Sequence, residues 1–296
     1  MDMQRPLQIT TWTLLLVISL TGCAGVKVSP VSSTDYMAQR RGDVLSAGRL
    51  SVYTAAALHV VGLDRKSCER DGASCRSALE ETIGLDRERR LSALAELWLQ
   101  EALALDKSPR DRNSMDAILN AYLETARYAY AYLFLTERTP AMRALEDRQT
   151  QVRDYYNFAV QQTLVALFEY VRDHPVTPVG GRRNAYLHSG AWRISIKTDQ
   201  MRLADERDLP DELIPASSLS FAGLRNQYRR DGLGAELVAA TSGNVVSLGS
   251  ATVSYSETPF PALTAFMRFP GNTLEEILRT HEAIVIGYDP YRPREH

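Results

Sequence analysis

The chain is poor in the residues that usually announce chemistry. Of 296 residues only three are cysteine, five histidine and three tryptophan. His59, His174, His188, His281 and His296 are scattered and show no metal-ligand spacing. Gly-x-Ser-x-Gly, the strand-to-helix elbow of many serine hydrolases, is absent. A Walker loop, His-Glu-x-x-His and a complete dinucleotide fingerprint are absent too. Charge of one sign is also missing. The net charge of −2 excludes the basic footprint of a nucleic-acid binder. No cofactor or metal site is expected.

Long apolar runs are missing except at the start. Thr13-Leu14-Leu15-Leu16-Val17-Ile18-Ser19-Leu20 follows a singly basic segment containing Gln4 and Arg5. It is too short to span a bilayer, and small residues follow it, as in a secretory signal. Leu20-Thr21-Gly22-Cys23 resembles the bacterial lipobox, in which the signal is cut before a cysteine whose sulfur carries diacylglycerol. The alternative is an ordinary signal with an incidental cysteine. Residues 1–22 are read as a lipoprotein signal peptide. Cys23 is the expected lipidation site, and acyl chains are the expected anchor to the membrane. Ala24 after it, where aspartate would mark retention in the inner membrane, points to the outer membrane, facing the periplasm. Residues 23–34 are small, polar and broken by Pro30, as a tether should be.

Cys68 and Cys75 remain. In an oxidising compartment such a pair most simply forms a disulfide; two free thiols are the alternative. A zinc site would need more ligands than Glu69 to Ser74 offer.

The expected fold is α+β: an N-terminal helical bundle or stack over 35–178, then a smaller strand-rich α+β region over 179–296. Gly-Leu-Asp-Arg occurs at 62–65 and again at 84–87, each copy a glycine to end one helix and an aspartate to cap the next. Leu91, Leu94, Ala95, Trp98, Ala102 and Leu105 predict a helix with one buried face. A second helix is expected from near Ser114 to Thr136. In it, Tyr128, Tyr130 and Tyr132 are read as core rings whose hydroxyls reach the surface. Thr139-Pro140 reads as the start of a third, with a stripe from Val152 to Val171. Arg138 to Asp154, with Arg143 and Asp147 four apart, reads as an exposed helix face.

The composition changes near Pro175-Val176-Thr177-Pro178-Val179-Gly180-Gly181. Trp192–Lys197, Glu236–Thr241, Val245–Tyr255, Leu263–Phe269 and Ala283–Ile286 are expected strands of a mostly antiparallel sheet. Leu209–Pro215 reads as loop, and Thr273–His281 as a helix capped by Asn272 or Thr273. Gly232-Leu233-Gly234 reads as a turn rather than a phosphate loop. Arg225, Arg229 and Arg230 form a basic cluster, a solvated face or a patch for an acidic partner. His188-Ser189-Gly190 can be drawn as a base beside a nucleophile, but neighbours in sequence rarely meet that geometry.

Four stretches carry a resemblance. They are Arg89-Arg90-Leu91-Ser92-Ala93-Leu94-Ala95-Glu96-Leu97-Trp98-Leu99-Gln100, Ala126-Arg127-Tyr128-Ala129-Tyr130-Ala131-Tyr132-Leu133-Phe134, Glu146-Asp147-Arg148-Gln149-Thr150-Gln151-Val152-Arg153-Asp154-Tyr155-Tyr156-Asn157, and Gly223-Leu224-Arg225-Asn226-Gln227-Tyr228-Arg229-Arg230-Asp231-Gly232-Leu233-Gly234. With the lipobox and Tyr288-Asp289-Pro290-Tyr291, they resemble the N-terminal half of proteobacterial lipoproteins of the α/β-hydrolase, esterase- or lipase-like, class. The similarity covers nearly the whole chain. In that family the serine-hydrolase motifs follow this half, so no catalytic residue carries over to a position here. The resemblance implies an anchored, non-catalytic half whose hydrolase domain lies downstream or on a separate chain. Tyr288 to His296 supplies no helix or cap to close a domain, as in a truncated or split gene and equally in a frayed terminus. The alternative is a non-enzymatic envelope scaffold that binds protein partners through its helical half.

Overall fold

Capping residues set the helical half. In the computed structural model Asp43 and Ser46 form a reciprocal capping box that starts helix α1 (Val44–Ala47). Ser51 caps α2 (Val52–Val60), Asp64 caps α3 (Arg65–Arg70) and Asp71 caps α4 (Gly72–Glu81). Asp86 caps α5 (Arg87–Leu105), its Oδ1 accepting from the Arg89 amide at 2.9 Å. Gly62 and Gly84 hold φ of 78° and 90°, the left-handed region the repeated Gly-Leu-Asp-Arg motif requires. Two long helices follow, α6 (Arg112–Phe134) and α7 (Asp147–Asp173). Thr139-Pro140 does not begin α7. It leads into one 3₁₀ turn, Ala141–Arg143, and Asp147 opens α7 instead.

The structure describes residues 42–107, 112–173, 184–197, 212–215, 232–240 and 262–288, all within one compact unit, Arg41–His296. Cys23, the signal, the tether, the Pro175–Gly181 stretch, the arginine cluster at 225–230 and the expected strand at 245–255 fall outside them. The α+β class, with helices N-terminal and strands C-terminal, is what the chain adopts.

Helix α5 departs from the expected single buried face. Leu91, Leu94, Ala95 and Ala102 are buried, and so are Ala93, Leu97 and Leu99 on its other sides. It is the central helix, covered by α2 and α4 as well as by α6 and α7. A helix apolar nearly all round is an interior one.

The strands form one mixed sheet in the order β1-β2-β6-β5-β4-β3. They are β1 (Asn184–Ser189), β2 (Trp192–Lys197), β3 (Glu212–Pro215), β4 (Ala235–Ala240), β5 (Ala262–Arg268) and β6 (Glu282–Tyr288). Among the described strands only the β2–β6 pair is parallel, with Ile194 opposite Ala283. Strand β3 corrects the loop expected there: Ile214 pairs with Val238, and Pro215 sits at the strand end, where a missing amide is tolerated. Thr273 caps α8 (Leu274–Arg279) in a capping box with Glu276.

Polar side chains on α6 and α7 fix the sheet to the helices. The Trp192 indole donates to Asn120 at 3.0 Å, and the Arg127 guanidinium to the Thr280 carbonyl at 2.8 Å. The buried Tyr156 hydroxyl donates to the Met267 carbonyl and accepts from the Met267 amide at 2.8 Å. Tyr156→Phe leaves both backbone groups of β5 without that partner in the core. The expected loss is about 1–3 kcal/mol, read as a lower denaturant midpoint at unchanged slope. An unchanged midpoint would show that this link carries no stability.

Candidate functional site

The residues singled out in the sequence are mostly held by structural partners. Ser189 closes the β1–β2 hairpin beside Gly190, whose φ is 53°. Its hydroxyl donates to Asp116 Oδ1 at 2.6 Å, while His188 points outward and its ring meets Tyr186 edge-on. The pair therefore does not form a base and nucleophile. In Gly232-Leu233-Gly234, the Gly234 amide donates to Asn157 Oδ1 at 2.7 Å and the Gly232 carbonyl accepts from Asn157 Nδ2 at 2.9 Å. One asparagine on α7 clamps that turn. A Cβ at position 234 would come within 3.0 Å of the Ala265 carbonyl, so only glycine fits.

Cys68 and Cys75 are disulfide-bonded, with Cα atoms 5.6 Å apart and both residues buried. The bond ties α3 to α4 across Asp71. The residues between them are not a loop: they end one helix and start the next. Among the described residues no cluster of His, Cys, Asp or Glu is arranged to hold a metal ion.

A concentration of charged side chains lies at the N-terminal end of α5. There an open cleft of about 490 Å³ is lined by Asp86, Arg87, Glu88, Arg89, Thr136, Glu137, Arg138 and Arg148. Two elements far apart in sequence build it. The first turn of α5 supplies 86–89, and the connection from α6 to α7 supplies 136–148. Arg138 joins them: its guanidinium bonds Glu88, with Nε donating to Oε1 at 3.2 Å, and also pairs with Glu146. These carboxylates hold the Arg138 proton more tightly than usual.

Arg143 pairs with Glu88 of this lining and corrects the expectation of an exposed helix face. It is fully buried. Its Nη2 donates to the Tyr132 carbonyl at 2.9 Å and the Leu133 carbonyl at 3.3 Å, closing the C-terminal end of α6. Its Nη1 lies 3.3 Å from the buried Glu88 carboxylate, and its guanidinium sits 4.3 Å over the Tyr132 ring. The Tyr132 hydroxyl does not reach the surface as expected, whereas that of Tyr128 meets the exposed Glu80. Tyr128 donates to Glu80 at 2.6 Å, and the Tyr132 hydroxyl is buried without a hydrogen-bond partner. Burial raises the Tyr132 pKa, against the pull of Arg143 and Arg148.

Arginine side-chain nitrogens are left over around the cleft. Arg143 Nε and Arg148 Nε are buried without a hydrogen-bond acceptor. Arg87 and Arg89 are exposed, and among the described residues they and Arg148 make no ion pair within 4.0 Å. Chemically the cleft offers guanidinium donors to an oxyanion. No local signal marked it in the sequence, because Glu88 and Arg143 are brought together only by the fold.

Comparison of the chain with protein-family models, with curated proteins and with solved structures finds no match.

Proposed function

We propose that this chain is a lipid-anchored envelope protein whose folded unit is the non-catalytic companion of an esterase- or lipase-like hydrolase domain. The disulfide between Cys68 and Cys75 carries the envelope part, because such bonds persist in oxidising compartments. The Leu20-Thr21-Gly22-Cys23 segment supports the anchor, and the four resembling stretches support the hydrolase association. The commitment of Ser189 to Asp116 fits a folded unit that positions rather than reacts.

One preparation tests both halves. Purified from membranes, the chain should carry a diacylglyceryl or triacyl mass on Cys23. Cys23→Ala should abolish that mass, and the protein should then leave the lipid-anchored fraction. The same preparation should give no fluorophosphonate adduct unless a chain bearing a Gly-x-Ser-x-Gly elbow accompanies it. An adduct on a serine of this chain, lost in a single Ser→Ala variant, would make it an enzyme in its own right. Unaltered acyl labelling in Cys23→Ala would end the lipobox reading.

A further inference from the structure

Three large apolar side chains stand in water at the same end of the molecule as the arginine cleft. Ile83 is 97% exposed, Met142 68% and Leu145 101%. Single exposed apolar residues are ordinary. These three occupy two joints that the charged hub draws together. Ile83 lies in the α4–α5 connection, where Arg90 bonds the Thr82 carbonyl. Met142 and Leu145 bracket Arg143 and sit beside Glu146, and those two residues reach Glu88 directly and through Arg138. Ile83 thus lies three residues before the Asp86 cap of α5, and Leu145 is next to Glu146, which pairs with Arg138 of the cleft lining.

We infer that this end is a bilayer-docking surface: the cleft takes the phosphate of a membrane phospholipid while Ile83, Met142 and Leu145 enter the interface around it. The guanidinium fork matches phosphate oxygens, and Arg87, Arg89 and Arg148 make no ion pair among the described residues, Arg148 lying 5.5 Å over the Tyr53 ring. The amides of the first α5 turn add positive potential at the same place. The acidic lining sets the capacity. Glu88 is held by Arg138 and Arg143, and Asp86 is engaged as the α5 cap, leaving Glu137 to oppose a second anion. Exposed apolar side chains in the joints next to an arginine-bearing cleft are the composition of a membrane interface, where both find partners.

The docking inference rests in part on the anchor reading. Roughly 20 residues lie between Cys23 and Asp43, and a chain of that length reaches at most about 70 Å. An acylated Cys23 would hold the folded unit at high effective concentration over the bilayer.

The test separates the two readings. Ile83→Cys and Leu145→Cys are each introduced into the full chain and labelled with an environment-sensitive nitrobenzoxadiazole dye. Val60→Cys on α2 serves as the control, since Val60 is 59% exposed and α2 leads into α3, which meets the other half of α5 through the bond from Gln100 to the Glu69 carbonyl. The labelled chains are mixed with vesicles of phosphatidylethanolamine and phosphatidylglycerol, with and without brominated acyl chains. The dyes at 83 and 145 should shift to the blue and be quenched by bromine, and the dye at 60 should do neither. Arg87→Gln, Arg89→Gln and Arg148→Gln together should abolish the shift while leaving the circular dichroism unchanged. Lipid mass on Cys23, measured on the same samples, reports the anchor independently. Dyes at 83 and 145 as water-exposed as that at 60 would overturn the docking surface whatever the anchor does. A shift surviving the triple variant would overturn the phosphate site. Thermal stabilisation by inorganic phosphate with no response to vesicles would make the cleft a soluble-anion site and overturn the membrane assignment.

Discussion

Arg143→Ala is expected to destabilise the folded unit by about 3–5 kcal/mol, the range for removing one partner of a buried ion pair. Three losses coincide at this position. Glu88, itself buried, keeps only Arg138, whose side chain is 40% exposed. The Tyr132 and Leu133 carbonyls lose the donor that closes α6. The ring of Tyr132 loses the group stacked over it, leaving a cavity in the core. Denaturant unfolding of the wild type and variant reads the effect directly. A double variant, Glu88→Gln with Arg143→Met, removes both charges and fills the space, so it should recover part of the loss. Recovery is the informative outcome, because a buried ion pair is worth less than the penalty for breaking it. If Arg143→Ala costs under about 1 kcal/mol, the hub does not hold the two joints together, and the docking surface built on it loses its frame.

What could be read from the sequence follows a physical line. Local rules were legible wherever a feature is decided within a few residues. Gly62 stops α2, Asp64 and Asp86 start helices, and Thr273 caps α8, because these outcomes need only the adjacent backbone, whereas α4 already ends at Glu81 with Thr82 extended, before Gly84. Alternation in Trp192–Lys197 and in Leu263–Phe269 predicted β2 and β5 for the same reason. Elements decided by distant partners were not legible. Glu212–Pro215 has the composition of a loop and becomes a strand because β4 offers it a free edge. Asn184–Ser189 carries no strong pattern of its own and is ordered by pairing with β2.

The candidate site was the least legible part. Arg143 and Asp147 four residues apart suggested a solvated helical pair, yet a helix does not join them: a 3₁₀ turn and a break lie between. That break turns Arg143 inward onto Glu88, more than fifty positions earlier in the chain. Periodicity could place a charge on a face, but it could not say that the face would be covered. Tyr128, Tyr130 and Tyr132 were legible as rings of the core. The fates of their hydroxyls were not, because Glu80 arrives from α4.

Glu96 should behave in the opposite way from a surface carboxylate. It sits on α5, 1% exposed, and accepts from the Ser51 amide at 2.8 Å, the Ser51 hydroxyl at 2.6 Å and the Val44 amide at 3.3 Å. It thereby holds the segment from α1 to the start of α2 against the central helix. Glu96→Ala leaves those buried donors without an acceptor, at about 1–3 kcal/mol each in the worst case, and opens a cavity. A loss of about 3–5 kcal/mol is expected, with early hydrogen exchange in 43–54. Glu96→Gln keeps the volume and one acceptor oxygen and should cost much less. Burial raises the Glu96 pKa above its ordinary 4.5, the hydrogen bonds from Ser51 and Thr54 oppose the rise, and nearby Asp43 adds to it. Asp43 also accepts from the Tyr155 hydroxyl at 3.3 Å, so the neighbourhood facing Glu96 contains a second carboxylate and no cation among the groups that shift it. A folded pKa above the unfolded one means that the folded state holds the proton more tightly. The stabilisation from Glu96 is then complete below the unfolded carboxyl range and is lost as the pH rises through the raised folded value. The advantage of the wild type over Glu96→Gln should accordingly shrink from pH 4 upward, measured as the difference in denaturant midpoint at each pH. A difference that grows with pH would mean that Glu96 is held as a stabilised carboxylate, and that the segment before α2 is fastened by charge rather than by a proton shared with the core.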